Sequence, residues 1–450
     1  FKISENYLNK IIDKYIEDMT SESNEYILDE IFEIYARSTP HELRKVIAKH
    51  FIPSDEQMKK RAEIPTPVKC VDEMLDKIPK GFWSKIHKIF EPCCGKGNFV
   101  LGIFNRLFDG LLHIEDEIER CRIIIEECIY FADIDDMNVF ITKELLSCYA
   151  ISKLSDKYWN DWDIVLKIYN FKYNTYVGDT LKLDIKNLWG LEYFNGYICN
   201  PPYNVGNNPN FYIKFIEQSY NLLSENGICL FITPNRFLIP GHASNKSIQN
   251  FNIDYICHTS NHFDVSTDIG YFMGNKNNNK NNNKILTLFK DNKTSYIDLN
   301  IPTPSASNDL RIKQLSDKIL CNKTNITFIK SKKELMEPEK YLFIPRHWVR
   351  YSPNKIKGGK HTFNVINDYC DDGRFIEINE NTKDNIIWYL TRSKIIRFIT
   401  NNYASTVFIP PFIWDNIPLI DFNKKYDNND LYKIFNFTDN DIIFIEDMVE

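Results

Sequence analysis

Between residues 64 and 290, short apolar runs alternate with stretches whose apolar residues recur at helical spacing. Such alternation is typical of parallel strands joined by crossover helices, so it predicts an α/β fold with a doubly wound, mostly parallel sheet. The predicted strands are Ile86–Phe90, Cys128–Ala132, Asn174–Val177, Gly196–Cys199, Ile228–Ile232, Ile253–His258, Tyr271–Met273 and Ile285–Phe289. We expect the last two to form a hairpin around an Asn- and Lys-rich tract.

The chain of 450 residues is about three times as long as a typical domain. Residues 1–62 carry apolar residues at helical spacing and are predicted to be a helical N-terminal segment. Residues 63–290 are predicted to be the sheet domain. Residues 291–450 lack the alternation and are rich in aromatic residues, proline and basic residues. We expect them to form a separate α+β domain that ends in an acidic helix.

Charge is distributed unevenly along the chain. The net charge is −6, but Arg311–His361 holds 13 Lys and Arg against 4 Asp and Glu, whereas Asp427–Glu450 holds 7 acidic residues and one base. A concentrated basic segment with interleaved aromatic residues is typical of nucleic-acid binding, whatever the total charge. The alternative is that the basic segment is simply a solvated face.

The lengths of the apolar stretches and the pattern of cysteines predict the cellular compartment of the protein. The longest apolar runs are far shorter than the roughly 18 residues needed to cross a bilayer, and no secretory leader opens the chain at Phe1. The 11 cysteines form no C-x-x-C pair. We therefore expect a reduced, intracellular protein of the cytoplasmic type, with no membrane partner and no structural metal.

The first motif lies at the end of the first predicted strand and reads Glu91-Pro92-Cys93-Cys94-Gly95-Lys96-Gly97. Two glycines two positions apart let the backbone turn sharply and approach a ligand closely. Neither the third glycine of a dinucleotide loop nor a Gly-Lys-Ser/Thr sequence follows, which argues against a pyrophosphate ligand. The acid at the strand end indicates instead a positively charged group.

Two more acids follow predicted strands. Asp133 stands in Ala132-Asp133-Ile134, and Asp179 in Val177-Gly178-Asp179. Open α/β sheets bind ligands at the carboxyl ends of their strands, where a carboxylate accepts hydrogen bonds from ribose hydroxyls. Either acid taken alone is an ordinary loop residue, but a series at successive strand ends favours a binding site.

The most specific motif, Asn200-Pro201-Pro202-Tyr203, directly follows the fourth predicted strand. Two prolines cannot continue a central strand, because neither has an N–H for the ladder. They form a rigid rim that holds an amide, with one acceptor and two donors, beside a flat aromatic ring. The motif therefore predicts a socket for a planar group that bears an exocyclic amine.

In this order, the motifs resemble those of class I S-adenosylmethionine-dependent DNA N6-adenine methyltransferases. The resemblance covers about Ile64 to Lys290 and is to the gamma-type enzymes of restriction-modification systems, phages and giant viruses. It implies a seven-stranded methyltransferase sheet with an antiparallel last strand, followed by a target-recognition domain. It also implies methyl transfer from S-adenosylmethionine to N6 of an adenine flipped out of double-stranded DNA. A cognate restriction endonuclease is a further candidate partner, whose existence the sequence leaves open.

The resemblance assigns a role to each matching residue. Glu91 would lie near the methionine ammonium, Asp133 on the ribose hydroxyls, and Asp179 on the amino group of the cofactor adenine. The remaining residues implied for cofactor binding are Thr66, Pro67, Pro92, Cys93, Gly95, Gly97, Ile134, Asn200 and Phe211. The catalytic motif is Asn200, Pro201, Pro202 and Tyr203, and Tyr203 and Phe263 would contact the target base.

The basic segment supplies the candidate DNA-binding residues, which are Lys332, Lys333, Arg346, Trp348 and Arg350. Methylation of RNA, of cytosine N4 or of a protein glutamine amide is an alternative for the same motif. A further alternative is a non-catalytic nucleic-acid-binding relative. The long basic region after the sheet domain favours a DNA substrate, and the intact acids argue against a decayed enzyme.

Overall fold

The computed structural model describes most of the chain from Thr66 onward. The described residues are 66–155, 158, 161–206, 208, 210–239, 241–258, 262–263, 269–277, 284–289, 291–300, 309–320, 325–329, 340–345, 373–403 and 411–449. The predicted helical segment over residues 1–62 lies outside them. Among the described helices, none combines the length and the apolar character that a membrane crossing requires.

Strands and helices alternate through the first part of the described chain. The strands are β1 (Ile89–Glu91), β2 (Ile129–Asp133), β3 (Asn174–Val177), β4 (Phe194–Cys199), β5 (Leu223–Pro234), β6 (Asn252–His258), β7 (Ile269–Asn275), β8 (Ile285–Leu288), β9 (Thr294–Ile297), β10 (Tyr341–Pro345) and β11 (Gly373–Glu377). The α-helices are α1 (Val68–Leu75), α2 (Lys80–Trp83), α3 (Asn98–Gly110), α4 (Glu117–Ile123), α5 (Asp136–Lys153), α6 (Trp162–Tyr169), α7 (Ile185–Trp189), α8 (Ile213–Leu222), α9 (Ala243–Ile248), α10 (Leu310–Leu320), α11 (Lys383–Thr391), α12 (Lys394–Tyr403), α13 (Pro411–Asp415), α14 (Asn428–Ile434) and α15 (Asp439–Val449).

The chain divides into two compact units. Of the described residues, the sheet unit contains those up to Pro234 and those within Ser247–Asn282, and the C-terminal unit contains those within Asn235–Lys246 and those from Asn283 onward. In the sheet unit the strand order is β3-β2-β1-β4-β5-β7-β6. Neighbouring strands from β3 to β5 are parallel, and β7 lies antiparallel between β5 and β6. The predicted doubly wound, mostly parallel α/β sheet with an antiparallel last strand is confirmed.

The predicted hairpin of Tyr271–Met273 with Ile285–Phe289 is wrong. One edge of β7 pairs with β5 and the other with β6, so β7 has no edge left for β8. Instead β8 pairs antiparallel with β9, through Ile285 opposite Ile297. A strand has only two edges, and sequence spacing alone did not indicate that β5 and β6 would occupy both.

A ladder of buried aromatic rings ties the central strands together. The ring of Tyr197 on β4 meets Phe90 on β1 edge-on at 5.6 Å and stacks on Phe231 of β5 at 5.4 Å. Phe231 in turn stacks on Phe272 of β7 at 5.6 Å. Aromatic pairs in these geometries stabilise by about 0.5–1.5 kcal/mol beyond their buried area. The ladder therefore links β1 and β4, two strands whose ends carry motifs, to β5 and β7.

The long gap between Gly97 and Asp133 predicts an extra helix within Asp109–Glu127, and α4 confirms it. Asp116 caps α4 by accepting hydrogen bonds from two backbone N–H groups. The helix continues into a π-helical turn, Ile124–Cys128, which leads directly into β2.

The C-terminal unit is mainly helical around its own core, in which Tyr389, Phe398 and Trp414 are buried. An acidic residue near its C-terminal end forms ion pairs inside this unit. Asp441 on α15, almost completely buried, pairs with Arg311 and, at 2.7 Å, with Lys318, both on α10. Opposite charges that lie far apart in the sequence therefore neutralise each other within this unit.

One buried acid in the sheet unit has no hydrogen-bond partner among the described residues. Glu144 on α5 is 2% exposed, and neither of its carboxylate oxygens accepts a hydrogen bond from them. Burial raises its pKa to about 7, and the nearby charge of Lys143 lowers it only in part. A carboxyl group with a raised pKa in the folded state stabilises the fold at low pH, and this contribution is lost as the pH rises from about 4.5 to 7.

We therefore expect Glu144→Gln to be more stable than the wild type at pH 8, by about 1–3 kcal/mol, and to lose this advantage at pH 5. Urea unfolding at a series of pH values measures this difference. Glu115→Gln, at an exposed position, is the matched control and should change little at either pH. Equal stabilities of Glu144→Gln and the wild type from pH 5 to pH 8 would contradict the raised pKa of Glu144.

Candidate active site

The motifs meet because β1 to β4 are parallel neighbours. Glu91 lies opposite Phe131 in the β1–β2 register, Asp133 lies opposite Val177, and Phe90 lies opposite Tyr197. The carboxyl ends of these strands therefore share one edge of the sheet, where open α/β folds bind their ligands.

The loop after β1 has the backbone shape that its glycines predict. Gly95 and Gly97 adopt φ angles of 49° and 85°, in the left-handed region that favours glycine. A Cβ at Gly97 would also lie 3.0 Å from the side chain of Thr142. The N–H of Cys94 donates to the carbonyl oxygen of Ala132 at 2.9 Å, which holds the loop against the end of β2.

Asp133 is the anchor of this loop. Its Oδ2 accepts the N–H of Gly95 at 3.0 Å, and its Oδ1 accepts the N–H of Asp135 at 3.0 Å and the Nδ2 of Asn138 at 3.2 Å. Lys96 donates to the Oδ1 of the same Asn138 at 2.6 Å. Sequence reasoning missed Asn138 and Lys96, because a residue on α5 and a loop lysine carry no recognisable spacing.

Glu91 is a buried carboxylate, and only one of its two oxygens accepts a hydrogen bond from the described residues. It is 1% exposed, its Oε1 accepts the N–H of Cys93 at 3.2 Å, and its Oε2 has no hydrogen-bond partner among them. Burial raises the pKa of Glu91 well above its ordinary value, and the charge of Asp133 raises it further. The hydrogen bond from the Cys93 N–H lowers this pKa only in part. A buried acceptor without a donor requires an explanation, and a cationic or hydrogen-bond-donating ligand provides one.

The side of the site predicted to hold an adenine is more open. Ile134 is 67% exposed although it is apolar and directly follows Asp133. Asp179 accepts the N–H of Leu181 at 3.2 Å and pairs with Lys182 at 3.3 Å. Within the part of the chain that the structure describes, no group of three or more His, Cys, Asp or Glu side chains is placed to hold a metal ion.

The N-P-P-Y motif begins where β4 ends at Cys199. The Nδ2 of Asn200 donates to the Oγ1 of Thr66 at 2.9 Å, although the two residues are 134 positions apart. Burial is the largest cause that raises the pKa of the Cys199 and Cys93 thiols, and each thiol also influences the pKa of the other. The N-P-P-Y motif is therefore bonded to the segment before α1 and lies close to the loop after β1.

In the sequence, Thr66-Pro67 predicts a helix start with Thr66 as its N-cap and Pro67 as its first residue, and the structure shows that this prediction is wrong. Pro67, with φ −58° and ψ 140°, is the N-cap of α1, and no side chain caps this helix among the described residues. The Oγ1 of Thr66 accepts from Asn200, and its backbone oxygen accepts the Nδ2 of Asn98 at 2.9 Å. A tertiary contact with Asn200 therefore replaces the local capping bond.

Tyr203 is more enclosed than the sequence indicated. It is 6% exposed, and its ring meets Tyr212 edge-on at 6.2 Å. Its carbonyl oxygen accepts the N–H of Phe211 at 3.1 Å, so two of the predicted site residues are in contact. A planar group can stack on the Tyr203 ring only if the ring becomes more exposed than it is here.

Phe263 follows β6 and is partly buried. The preceding residue, His262, contacts Glu73 of α1 through Nε2 and Oε2 at 2.8 Å. This pair connects the segment that carries Phe263 to the helix that follows Thr66 and Pro67. Sequence reasoning missed the pair, because neither residue belongs to a motif.

The predicted DNA-binding residues Lys332, Lys333, Arg346, Trp348 and Arg350 all lie outside the described residues. The described start of the basic segment is occupied by internal ion pairs. Besides the pairs of Asp441, Lys313 on α10 pairs with Asp317 one turn later. The basic residues of α10 thus stabilise the C-terminal unit.

Comparison with known proteins gives one family match. The family model described as the Eco57I restriction-modification methylase matches residues 127–265, which contain Asp133, Asp179, the N-P-P-Y motif and Phe263. The match does not reach the loop of Glu91 or Thr66. No curated protein matches the chain.

Solved structures resemble the chain at low identity. LlaBIII, an ATP-dependent type ISP restriction-modification enzyme bound to DNA, aligns with a TM-score of 0.41 and 16% identity, over 56% of this chain and 21% of its own. The methyltransferase subunit of a type I restriction-modification system from Streptococcus thermophilus aligns with a TM-score of 0.39 and 14% identity, over 57% of this chain and 54% of its own. The EcoKI M protein aligns with a TM-score of 0.35 and 11% identity, over 63% of this chain and 67% of its own.

The family match covers the strand ends that carry three of the predicted motifs. It spans the elements from the end of the π-helical turn to the segment after β6. The match of this family model to residues 127–265 confirms the resemblance to restriction-modification methyltransferases that the motifs indicated.

Proposed function

We propose that the protein is a site-specific DNA adenine methyltransferase, which transfers a methyl group from S-adenosylmethionine to N6 of an adenine rotated out of the duplex. The observation that carries the proposal is the position of the Asn200 amide. It is held on the same edge of the sheet as Glu91, Asp133 and Asp179. The proposed partners are double-stranded DNA and a restriction endonuclease of the same system, and the proposed place of action is inside the cell.

The residues at the strand ends fit S-adenosylmethionine. The Oε2 of Glu91 is buried without a donor among the described residues, which fits the ammonium of the methionine part, and the exposed Ile134 fits the flat face of the adenine. Asp133 would accept hydrogen bonds from the ribose hydroxyls beside those that it accepts from the N–H groups of Gly95 and Asp135. Asp179 and Phe211 would contact the cofactor adenine, and Thr66, Pro67, Pro92, Cys93, Gly95 and Gly97 would line the methionine part.

The chemistry depends on orientation of the amine. S-adenosylmethionine supplies a methyl group activated by a sulfonium leaving group. The side-chain carbonyl of Asn200 and the main-chain carbonyl of Pro201 would accept the two N6 hydrogens of adenine, which favours a more tetrahedral nitrogen. Pro202 keeps this rim rigid, and holding the amine in line contributes most of the rate enhancement.

Access to N6 requires base flipping, which costs a few kcal/mol of stacking and pairing. Stacking on Tyr203 and contact with Phe263 would offset that cost together with the hydrogen bonds to N6. Since the Tyr203 ring is buried beside Tyr212, the proposal implies that this ring becomes more exposed when the base enters.

Radiolabelled S-adenosylmethionine incubated with duplex DNA, RNA or a release-factor protein tests the substrate class directly. The proposal expects label in DNA alone, at adenine N6 after nuclease digestion. Label in RNA or at a glutamine side chain would support the alternative enzymes, and label in none of them would support a non-catalytic relative. Sequencing of adenine methylation in cells that express the protein would then give the recognised site.

We expect Asn200→Ala to abolish methyl transfer, because it removes the acceptor for the N6 hydrogens, while the Kd for S-adenosylmethionine changes by less than about threefold. Single-turnover assays and calorimetry measure the two quantities separately. The same result is expected for Tyr203→Ala. A large loss of cofactor affinity with residual turnover would contradict this division of roles.

Glu91→Gln should weaken S-adenosylmethionine binding roughly 10- to 100-fold, the effect of losing a charged hydrogen-bond partner. Because burial raises the pKa of Glu91, a cationic ligand must compete with a proton, so wild-type affinity should fall as the pH falls. The Glu91→Gln variant should lose that pH dependence, and without cofactor it should be more stable than the wild type at neutral pH.

Calorimetry in buffers of different ionisation enthalpy measures the proton released on binding, and thermal unfolding measures the stability. Glu115→Gln is the control. Binding of equal strength and equal pH dependence in Glu91→Gln and wild type would remove Glu91 from the site.

Neutralising Lys332, Lys333, Arg346 and Arg350 should weaken duplex binding and reduce the log–log salt slope by roughly 0.9 for each phosphate that the variant no longer neutralises. Changing Arg346 or Arg350 should also relax sequence preference, because arginine pairs bidentately with guanine in the major groove. Binding titrations over a range of salt concentrations measure both effects. Lys424 and Lys425, an exposed lysine pair, are the matched control for Lys332 and Lys333. An unchanged affinity and slope would show that the basic segment is a solvated face.

A further inference from the structure

Thr66 joins two segments of the site that are distant in the sequence. It is 5% exposed, and its hydroxyl oxygen accepts the Nδ2 of Asn200 at 2.9 Å. Its backbone oxygen accepts the Nδ2 of Asn98, the first residue of α3, also at 2.9 Å. Thr66 therefore lies between the loop after β1 and the N-P-P-Y motif, with its side chain directed to the motif.

The amide of Asn200 has a polarity that matters for the proposed reaction. Its Oδ1 accepts hydrogen bonds and its Nδ2 donates them, and a half-turn of the amide exchanges the two. An incoming exocyclic amine presents N–H donors, so it is attracted by Oδ1 and repelled by Nδ2. Only one of the two orientations is therefore productive.

We propose that Thr66 is a positioning residue that restrains the Asn200 amide through this hydrogen bond, with Oδ1 left for the amine. By accepting the Nδ2–H, its hydroxyl keeps this donor turned towards the segment before α1 and directs Oδ1 to the amine. The inference rests on the proposed function, and it goes beyond cofactor contact, which is the role that the family resemblance implies for Thr66.

The hydroxyl can be removed with little change of shape. Valine has almost the volume of threonine but cannot accept a hydrogen bond, so Thr66→Val deprives the partly buried Nδ2 of Asn200 of this acceptor. Loss of this hydrogen bond leaves the amide less restrained, and a displaced or rotated amide no longer presents Oδ1 to N6. The defect is thus expected in the chemical step.

We expect Thr66→Val to lower kcat 10- to 100-fold at saturating cofactor and DNA, with the KM for S-adenosylmethionine within about threefold of the wild type. Thr66→Ser, which keeps the hydroxyl, should retain kcat within about threefold. Thr391→Val is the matched control, since Thr391 is a buried threonine whose hydroxyl donates to the backbone oxygen of Ile387 in the C-terminal unit. If Thr66→Val instead raises only the KM for S-adenosylmethionine and leaves kcat unchanged, Thr66 is a cofactor residue and the inference is overturned.

A second measurement needs no turnover. Thermal unfolding of Thr66→Val, Asn200→Ala and the double variant forms a double-mutant cycle. If the two side chains bond as described, the double variant should lose less in Tm than the sum of the two single losses. Additive losses would overturn the contact and the inference with it.

The two measurements separate this inference from the proposed function. A wild-type protein that methylates no nucleic acid contradicts the proposed function, whereas the unfolding cycle still decides whether Thr66 holds Asn200. A wild-type enzyme that methylates adenine, together with a fully active Thr66→Val variant, contradicts the inference alone.

Discussion

The parallel pairing of β1 with β2 and β4 is the constraint on which the candidate site depends. It places the ends of these strands at one edge, where Asp133 at the end of β2 accepts the N–H of Gly95 in the loop after β1. That bond crosses between adjacent strands and fixes a loop whose glycines could otherwise adopt many conformations. The aromatic ladder through Tyr197 joins β4 to β1 and to β5.

Burial at this edge has a cost in stability that is consistent with a ligand site. The Oε2 of Glu91 is enclosed without a donor among the described residues, and burial raises the pKa of the carboxyl group well above its ordinary value. Such a group destabilises the folded protein when it is charged and has no ligand. Binding sites commonly retain groups of this kind, because the interaction with the ligand offsets the cost of burial.

Local charge in the sequence is a poor guide to charge on the surface. The C-terminal acidic stretch and the start of the basic segment are complementary, since Asp441 on α15 pairs with Arg311 and Lys318 on α10. The basic character of this segment is thus partly neutralised inside the C-terminal unit.

The sequence by itself determined the α/β class, most strand positions and the series of motifs at successive strand ends, because hydrophobic periodicity and proline chemistry are local properties. Only the tertiary structure decided that β7 pairs with β5 and β6, that Thr66 binds Asn200 and not its own helix, and that Tyr203 is buried. Each of these features joins segments that are distant in the chain or depends on packing around the side chain. The spacing of residues along the sequence does not show which distant hydrogen-bond donor will lie next to a given acceptor. Such contacts are therefore known only from the folded structure.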